Sequence, residues 1–225
     1  MQYRPLGRTG VKVSEICLGA MMFGGRTEFE DGVSIIDAAL DQGINFIDTA
    51  NVYNHGRSEE VVGEALKRRG ARDRVVLATK VHGVMDSEDP NGQGNSRRHI
   101  IQQCEASLKR LQTDWIDLLW MHEPDPSTPI EETFRALEDL RRAGKVRYLG
   151  ASNFSPAELQ DAAASAGTLG IVGFIATQDE YSLVQRGPEK ALLAALKQLG
   201  LGLVPYFPLA GGSLTGKYRK GAPLP

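Results

Sequence analysis

The sequence predicts an α/β fold of the (β/α)8 TIM-type barrel class, and three observations carry that prediction. Short apolar runs alternate with amphipathic helical segments at a repeat of roughly 30 residues. The runs lack a polar face, so they read as strands buried on both sides and joined by helices, which makes a parallel sheet. Nearly every run also ends in a polar side chain: Asp48, Lys80, His122, Ser152-Asn153, Gln178 and Tyr206. An open, doubly wound sheet gathers such groups at one crevice, whereas a barrel carries them at the tip of every strand. The barrel is therefore favoured over the doubly wound sheet.

Composition sets the outer bounds. With 225 residues, 41% hydrophobic, the chain suits one globular domain over residues 1–225. A net charge of -2 and a pI near 6.1 argue against a generic nucleic-acid partner. No signal peptide opens the sequence and no apolar run approaches the ~20 residues of a membrane span, so a cytoplasmic protein without a membrane partner is expected. Cys17 and Cys104 make no disulfide framework and read as core packing. His55, His82, His99 and His122 show no zinc-type spacing, so no metal site is expected.

Taken in order, residues 3–13 carry a Gly7-Arg8-Thr9-Gly10 turn between extended pieces, a hairpin placed to cover one end of the core. Residues 16–18 form a first strand that runs into the glycine-bearing loop 19–25. Thr27-Glu28-Phe29-Glu30 has capping-box spacing ahead of Val33, Ile36 and Leu40, with Gly43 as the stop. The second strand, 44–47, ends at Asp48, and Tyr53 follows five residues later. Ser58 is placed to cap the next helix, with Glu59 and Glu60 in its first turn. The third strand, 75–79, ends at Lys80. Residues 86–95 have no apolar period and are expected to form a mobile loop. Ser96 starts a helix with Ile100, Cys104, Leu108 and Leu111 on one face.

The fourth strand, 116–121, ends at His122. Thr128-Pro129-Ile130-Glu131 then joins an N-cap, a proline at the first helical position and a capping glutamate. Phe134, Leu137 and Leu140 face inward, and Gly144 stops that helix. The fifth strand, 146–151, ends at Ser152-Asn153, and Ser155-Pro156-Ala157-Glu158 repeats the start signal. The sixth strand, 171–177, ends at Gln178. Pro188 opens a helix bearing Leu192, Leu196 and Leu199, and the seventh strand, 202–205, ends at Tyr206.

If the sheet closes, Asp48, Tyr53, Lys80 and His122 converge on one end of it. A phenol is a reluctant acid near neutrality, with a reference pKa of about 10. A nearby ammonium stabilises the phenolate, and a carboxylate beside the lysine keeps that ammonium charged and oriented. A histidine opposite can hydrogen-bond a substrate carbonyl. The assembly suits a proton donor to a developing alkoxide, with Tyr53 as the general acid.

These residues make the chain similar to the aldo-keto reductases. The matching stretches are Asp48-Thr49-Ala50 with Tyr53, Gly56, Ser58-Glu59 and Gly63, then Thr79-Lys80, and Asp117-Leu118-Leu119 with His122, Pro124 and Asp125. Gly150 to Phe154, Gln178 with Glu180-Tyr181, and Pro208 to Gly212 with Leu214 to Tyr218 complete the set. Together they run from Leu6-Gly7 to Lys217-Tyr218. The resemblance implies an NADPH-dependent reductase of small-molecule carbonyls, with Asp48, Tyr53, Lys80 and His122 as its catalytic tetrad. It implies that Ser152, Asn153 and Gln178 hold the nicotinamide carboxamide and that Tyr206 stacks on the ring. Gly19, Met21, Asp48 and Pro208 are implied as further cofactor contacts. The loop from Leu209 through Gly211, Leu214, Thr215 and Gly216 to Lys217 is implied to approach the pyrophosphate.

Gly211 to Lys217 also matches the first part of a P-loop, but Tyr218 stands where a magnesium-binding hydroxyl belongs and no helix follows. Two positions depart from the family pattern: Phe207 where many relatives have serine, and Ala20 where many have threonine. The sequence reaches Gly221-Ala222-Pro223-Leu224-Pro225 without the eighth strand, its helix or the basic residues that hold the 2'-phosphate of NADPH. It is expected to supply about seven of the eight strands plus the hairpin, and it leaves the oligomeric state open. Two other functions stay in view. A lysine at a strand tip also serves Schiff-base aldolases, which the Asp48 pairing disfavours. A cofactor-binding regulatory subunit of low turnover uses the same fold.

Overall fold

The computed structural model describes residues 1–218 and 221. The rest of the stretch ending at Pro225 lies outside the described residues. An antiparallel hairpin, β1 (Tyr3–Pro5) and β2 (Lys12–Ser14), precedes a parallel seven-stranded sheet. Its strands, β3 (Leu18–Gly19), β4 (Phe46–Asp48), β5 (Val76–Val81), β6 (Ile116–Met121), β7 (Val146–Ser152), β8 (Ala176–Glu180) and β9 (Gly202–Tyr206), lie side by side in chain order. Between them run α1 (Phe29–Asp41), α2 (Arg57–Arg69), α3 (Arg97–Arg110), α4 (Ile130–Arg142), α5 (Pro156–Leu169) and α6 (Leu192–Leu199). This is the curled parallel sheet of a (β/α)8 barrel, with β3 and β9 as its edges among the described residues.

The curl follows from side-chain contacts. In a flat sheet β4 and β8, four strands apart, would stand about 19 Å from each other. Gln178 on β8 instead donates from Nε2 to Oδ1 of Asp48 on β4 at 3.1 Å, so the sheet bends round until the two strands face one another. Alternate residues point into the resulting interior, where Phe46, Ala78, Leu118, Trp120 and Ala176 form one apolar cluster. Leu6 and Val13 of the hairpin pack into the same cluster and plug the barrel at the N-terminal ends of its strands. The other faces carry Ile47, Leu77, Leu119 and Leu149, which meet Ile36, Val62, Ile100, Leu137 and their neighbours on the helices. Strands buried on both sides are the reason for the uninterrupted apolar runs.

Several local expectations need correction. The first strand begins at Leu18, not residue 16, because Ser14 Oγ turns back to the Ile16 carbonyl at 2.6 Å and Ile16 is 58% exposed. β4 begins at Phe46, not residue 44, and β5 at Val76, not residue 75, while both run past their expected ends, so Asp48 and Lys80 are strand residues. Residues 171–174 are a loop, and β8 starts at Ala176. Gly170 closes α5 in the left-handed region and the Ile171 amide bonds back to Ala166, so the apolar Ile171 and Phe174 pack on the helix layer without strand pairing.

Three capping assignments also fail. Glu28 and Pro129 are the N-cap residues of α1 and α4 and make no side-chain cap bond, while Thr128 Oγ1 donates instead to Asp125 at 2.8 Å. Ser58 lies inside α2 and is buried. Pro188 belongs to a single 3-10 turn, and α6 opens at Leu192. The caps at Ser96 and Ser155 stand as read, the latter with its full capping box. Residues 86–95 fold back on themselves, with Met85 N bonded to Gly92 O at 3.0 Å and Gly94 N to His82 O at 2.7 Å.

Gly150 shows how tightly the interior is filled. It faces Trp120 across β6 and β7, and a Cβ there would collide with the indole ring. Gly150→Ala is expected to displace Trp120 and to cost about 1–3 kcal/mol, the usual range for overpacking. Urea denaturation of the two proteins measures the difference.

Candidate active site

Lys80 anchors the site. Its side chain is 0% exposed inside the barrel, paired with Oδ2 of Asp48, and its Nζ also donates to the Thr49 carbonyl at 2.9 Å. The second Asp48 oxygen accepts from Trp120 Nε1 at 2.9 Å and from Gln178 Nε2 at 3.1 Å. Both oxygens of this carboxylate are thereby hydrogen-bonded, by three donors in all, as a buried ion pair requires. Burial acts to lower the Lys80 pKa, but the Asp48 charge, with Tyr53 behind it, outweighs burial and raises it. The lysine is therefore a fixed cation.

Tyr53 opens the 3-10 turn after β4, and Lys80 Nζ lies 4.8 Å from its ring centroid. His122 stands at the tip of β6 with its ring perpendicular to that of Tyr53, centroids 5.8 Å apart. Burial, then the Lys80 ammonium and His82, push the His122 pKa down to about 3. The imidazole is neutral across the physiological range. All four expected catalytic residues are thus brought together.

Asp48, Tyr53 and His122 open onto a cleft of about 530 Å³, with Lys80 enclosed behind them, and the cleft is lined also by Gly19, Met21, Ser152, Asn153, Gln178, Tyr206 and Pro208. Ser152 Oγ donates to the Gln178 carbonyl at 2.8 Å, and Tyr206 OH donates to Asn153 Oδ1 at 2.9 Å. The remaining expected cofactor residues, Leu209, Gly211, Leu214, Thr215, Gly216 and Lys217, follow β9 in a largely exposed loop outside the cleft lining. Within it Ala210–Gly212 form a 3-10 turn.

Sequence reasoning missed the groups that hold this arrangement. Trp120 went unnoticed as a partner of Asp48 because a tryptophan in an apolar run reads as packing. Behind the site, Ser58 Oγ bonds to the Ala20 carbonyl and to Thr49 Oγ1, both at 2.7 Å. Glu59, 0% exposed, accepts from Thr79 Oγ1 and from Arg110, both at 2.6 Å. Asn54 Nδ2 spends both hydrogens on the carbonyls of Met21 and Phe23, at 3.0 and 2.8 Å, and so staples the Tyr53 loop to the neighbouring loop after β3. Cys17 lines the cleft as well as packing on the interior, and burial drives its thiol pKa well up, with Asp48 adding to the effect.

Backbone strain gathers here too. Asn54, His55, Asn153, Phe207 and Ala210 are five of the seven described non-glycine residues with positive φ. Such conformations persist only where surrounding contacts over-determine them.

A parallel barrel with a phenol, a fixed ammonium and a neutral imidazole grouped at the mouth of one cleft is a candidate enzyme site. The model of the aldo/keto reductase family matches residues 15–225. YrpG of Bacillus subtilis, named an uncharacterized oxidoreductase, is 45% identical over 98% of this chain and 70% of its own length. A probable voltage-gated potassium channel subunit beta of Arabidopsis thaliana is 42% identical over 99% of this chain and 68% of its own length. The aldo-keto reductase YhdN of Bacillus subtilis is 41% identical over 96% and 65%, respectively. The chain belongs to the aldo/keto reductase family, oxidoreductases that act on small carbonyl compounds and generally use NAD(P)H. No helix among the described residues is long and apolar enough to cross a membrane.

The His122 environment has a consequence for stability. The unfolded histidine takes up a proton near pH 6.5, whereas the folded one stays neutral down to about pH 3. Its contribution is present above pH 6.5 and is lost as the pH falls through that window, at up to about 1.4 kcal/mol per pH unit. His99, also shifted down by burial, acts in the same direction. Urea midpoints measured from pH 7 to pH 4 are expected to fall less steeply in His122→Asn than in the wild type.

Proposed function

We propose that the protein reduces aldehydes or ketones to alcohols with NADPH, Tyr53 serving as the general acid. The observation that carries this reading is the enclosed Lys80 ammonium, fixed by Asp48 and set against the Tyr53 ring. A phenol that gives up its proton beside a fixed cation leaves a phenolate whose charge is already compensated. The neutral His122 can donate a hydrogen bond to a substrate oxygen, and it adds no second cation to compete with Lys80. Tyr53 and His122 line the same cleft with ring centroids 5.8 Å apart, close enough for one carbonyl oxygen to meet both.

The opposite wall fits a nicotinamide. Ser152, Asn153 and Gln178 supply hydroxyl and amide groups for a carboxamide on rigid strand ends, and Tyr206 supplies a flat ring. When bound, the cofactor supplies the hydride that the carbonyl carbon receives. Pro208 and the loop from Leu209 to Lys217 would lie toward its phosphates.

A second reading is a cofactor-binding regulatory subunit of low turnover. It is favoured by relatives named as potassium channel beta subunits, such as the one from Arabidopsis thaliana. Assay of the purified wild type with NADPH and a panel of aldehydes separates the two. Tight NADPH binding with negligible turnover supports the regulatory reading.

Tyr53→Phe removes one hydroxyl and is expected to lower kcat by about 10²- to 10⁴-fold, with NADPH binding near normal. Turnover within a few-fold of the wild type would overturn Tyr53 as the acid. Lys80→Met is expected to lose activity similarly and also to lose about 3–5 kcal/mol of stability, because Asp48 is left as an unpaired buried charge. Steady-state kinetics and urea denaturation read the two effects separately.

A further inference from the structure

The mechanism leaves one charged group in the cleft unused. Glu123 directly follows His122 at the tip of β6 and lines the same cleft. Its backbone is fixed from two sides. Asn95 Nδ2 donates to the Glu123 carbonyl at 2.9 Å, and Asn153 Nδ2 donates to the preceding His122 carbonyl at 3.0 Å. The Glu123 carboxylate, by contrast, enters no salt bridge or side-chain hydrogen bond among the described residues. The other lining carboxylate, Asp48, is neutralised by Lys80.

The cleft therefore has one sign of charge. No lysine or arginine lines it among the described residues. Asp179 and Glu180, at the end of β8, stand close enough to act on Tyr206. Burial first, then these two carboxylates and Glu123, raise the pKa of that phenol. The rest of the lining is mainly apolar, with Met21, Met22, Val204, Pro205 and Phe207. An anion that enters meets a negative field and no cationic side chain among the described lining residues. A cleft with low-dielectric walls focuses such a field. Because Glu123 is exposed, solvent screening limits the effect to several-fold.

We infer that Glu123 makes the cleft select carbonyl compounds by charge, admitting uncharged or cationic aldehydes and ketones and disfavouring those that carry a carboxylate or phosphate. The inference rests on the reductase reading and names its substrate class.

The test pairs 4-carboxybenzaldehyde with methyl 4-formylbenzoate, which share a ring and an aldehyde and differ in one charge. In the wild type kcat/KM is expected to be higher for the ester, and added salt should narrow the gap. Glu123→Gln is expected to lower the ester-to-acid ratio by about three- to tenfold, and Glu123→Lys to lower it further. A ratio unchanged in both variants overturns the inference. Calorimetric binding of the same two aldehydes reads the charge ranking without turnover. If the ranking depends on Glu123 but neither aldehyde is reduced, charge selection stands and the reductase reading falls.

Discussion

The pair formed by Asp48 and Lys80 is the interaction on which the rest of the structure depends. An ammonium enclosed in a barrel is costly unless a counter-charge and further hydrogen bonds compensate it. Here the compensation comes from four strands: β4 supplies the carboxylate, β5 the lysine, β6 the Trp120 indole and β8 the Gln178 amide. Satisfying one buried charge thus draws strands from opposite sides of the sheet toward a common point. The polar centre and the apolar cluster of Phe46, Leu118 and Trp120 both tie the strands of the curled sheet together.

Around this centre, a second set of polar contacts fixes the loops that carry Tyr53 and the rim. Thr49, Ser58 and Ala20 are linked in a buried chain, and Thr79, Glu59 and Arg110 form another behind β5. Gly56, in the left-handed region, has no Cβ to block the Arg110 side chain, which passes over it to reach Glu59. The strained residues Asn54 and His55 follow Tyr53 immediately, and Asn54 is held by its two bonds to the loop after β3. Rigidity at the phenol is thus assembled from ordinary hydrogen bonds between elements distant in sequence.

The alternation of apolar strands and amphipathic helices was legible because strands buried on both faces leave an unmistakable pattern. The residues grouped at the cleft were legible as candidates because a charged or polar group at the end of an apolar run has few structural uses. What stayed hidden depends on through-space pairing. Ser58 reads as a helix cap until Thr49 and Ala20 are seen beside it. Ile171 and Phe174 read as strand because apolarity alone does not distinguish a strand from a loop packed on helices. Glu123 carries no signal in sequence, since an isolated glutamate after a histidine is ordinary until the cleft surrounds it.

The bond from Gln178 to Asp48 joins residues 130 positions apart. During synthesis, β4 and β5 emerge first and can pair Lys80 with Asp48, yet the second carboxylate oxygen waits for Trp120, 72 residues on, and then for Gln178. Each arrival satisfies one more direction of the same carboxylate. The topology thus spreads the site along the chain: the lysine and the tyrosine are encoded early, and the groups that complete the hydrogen bonding of the carboxylate are encoded on the far side of the barrel.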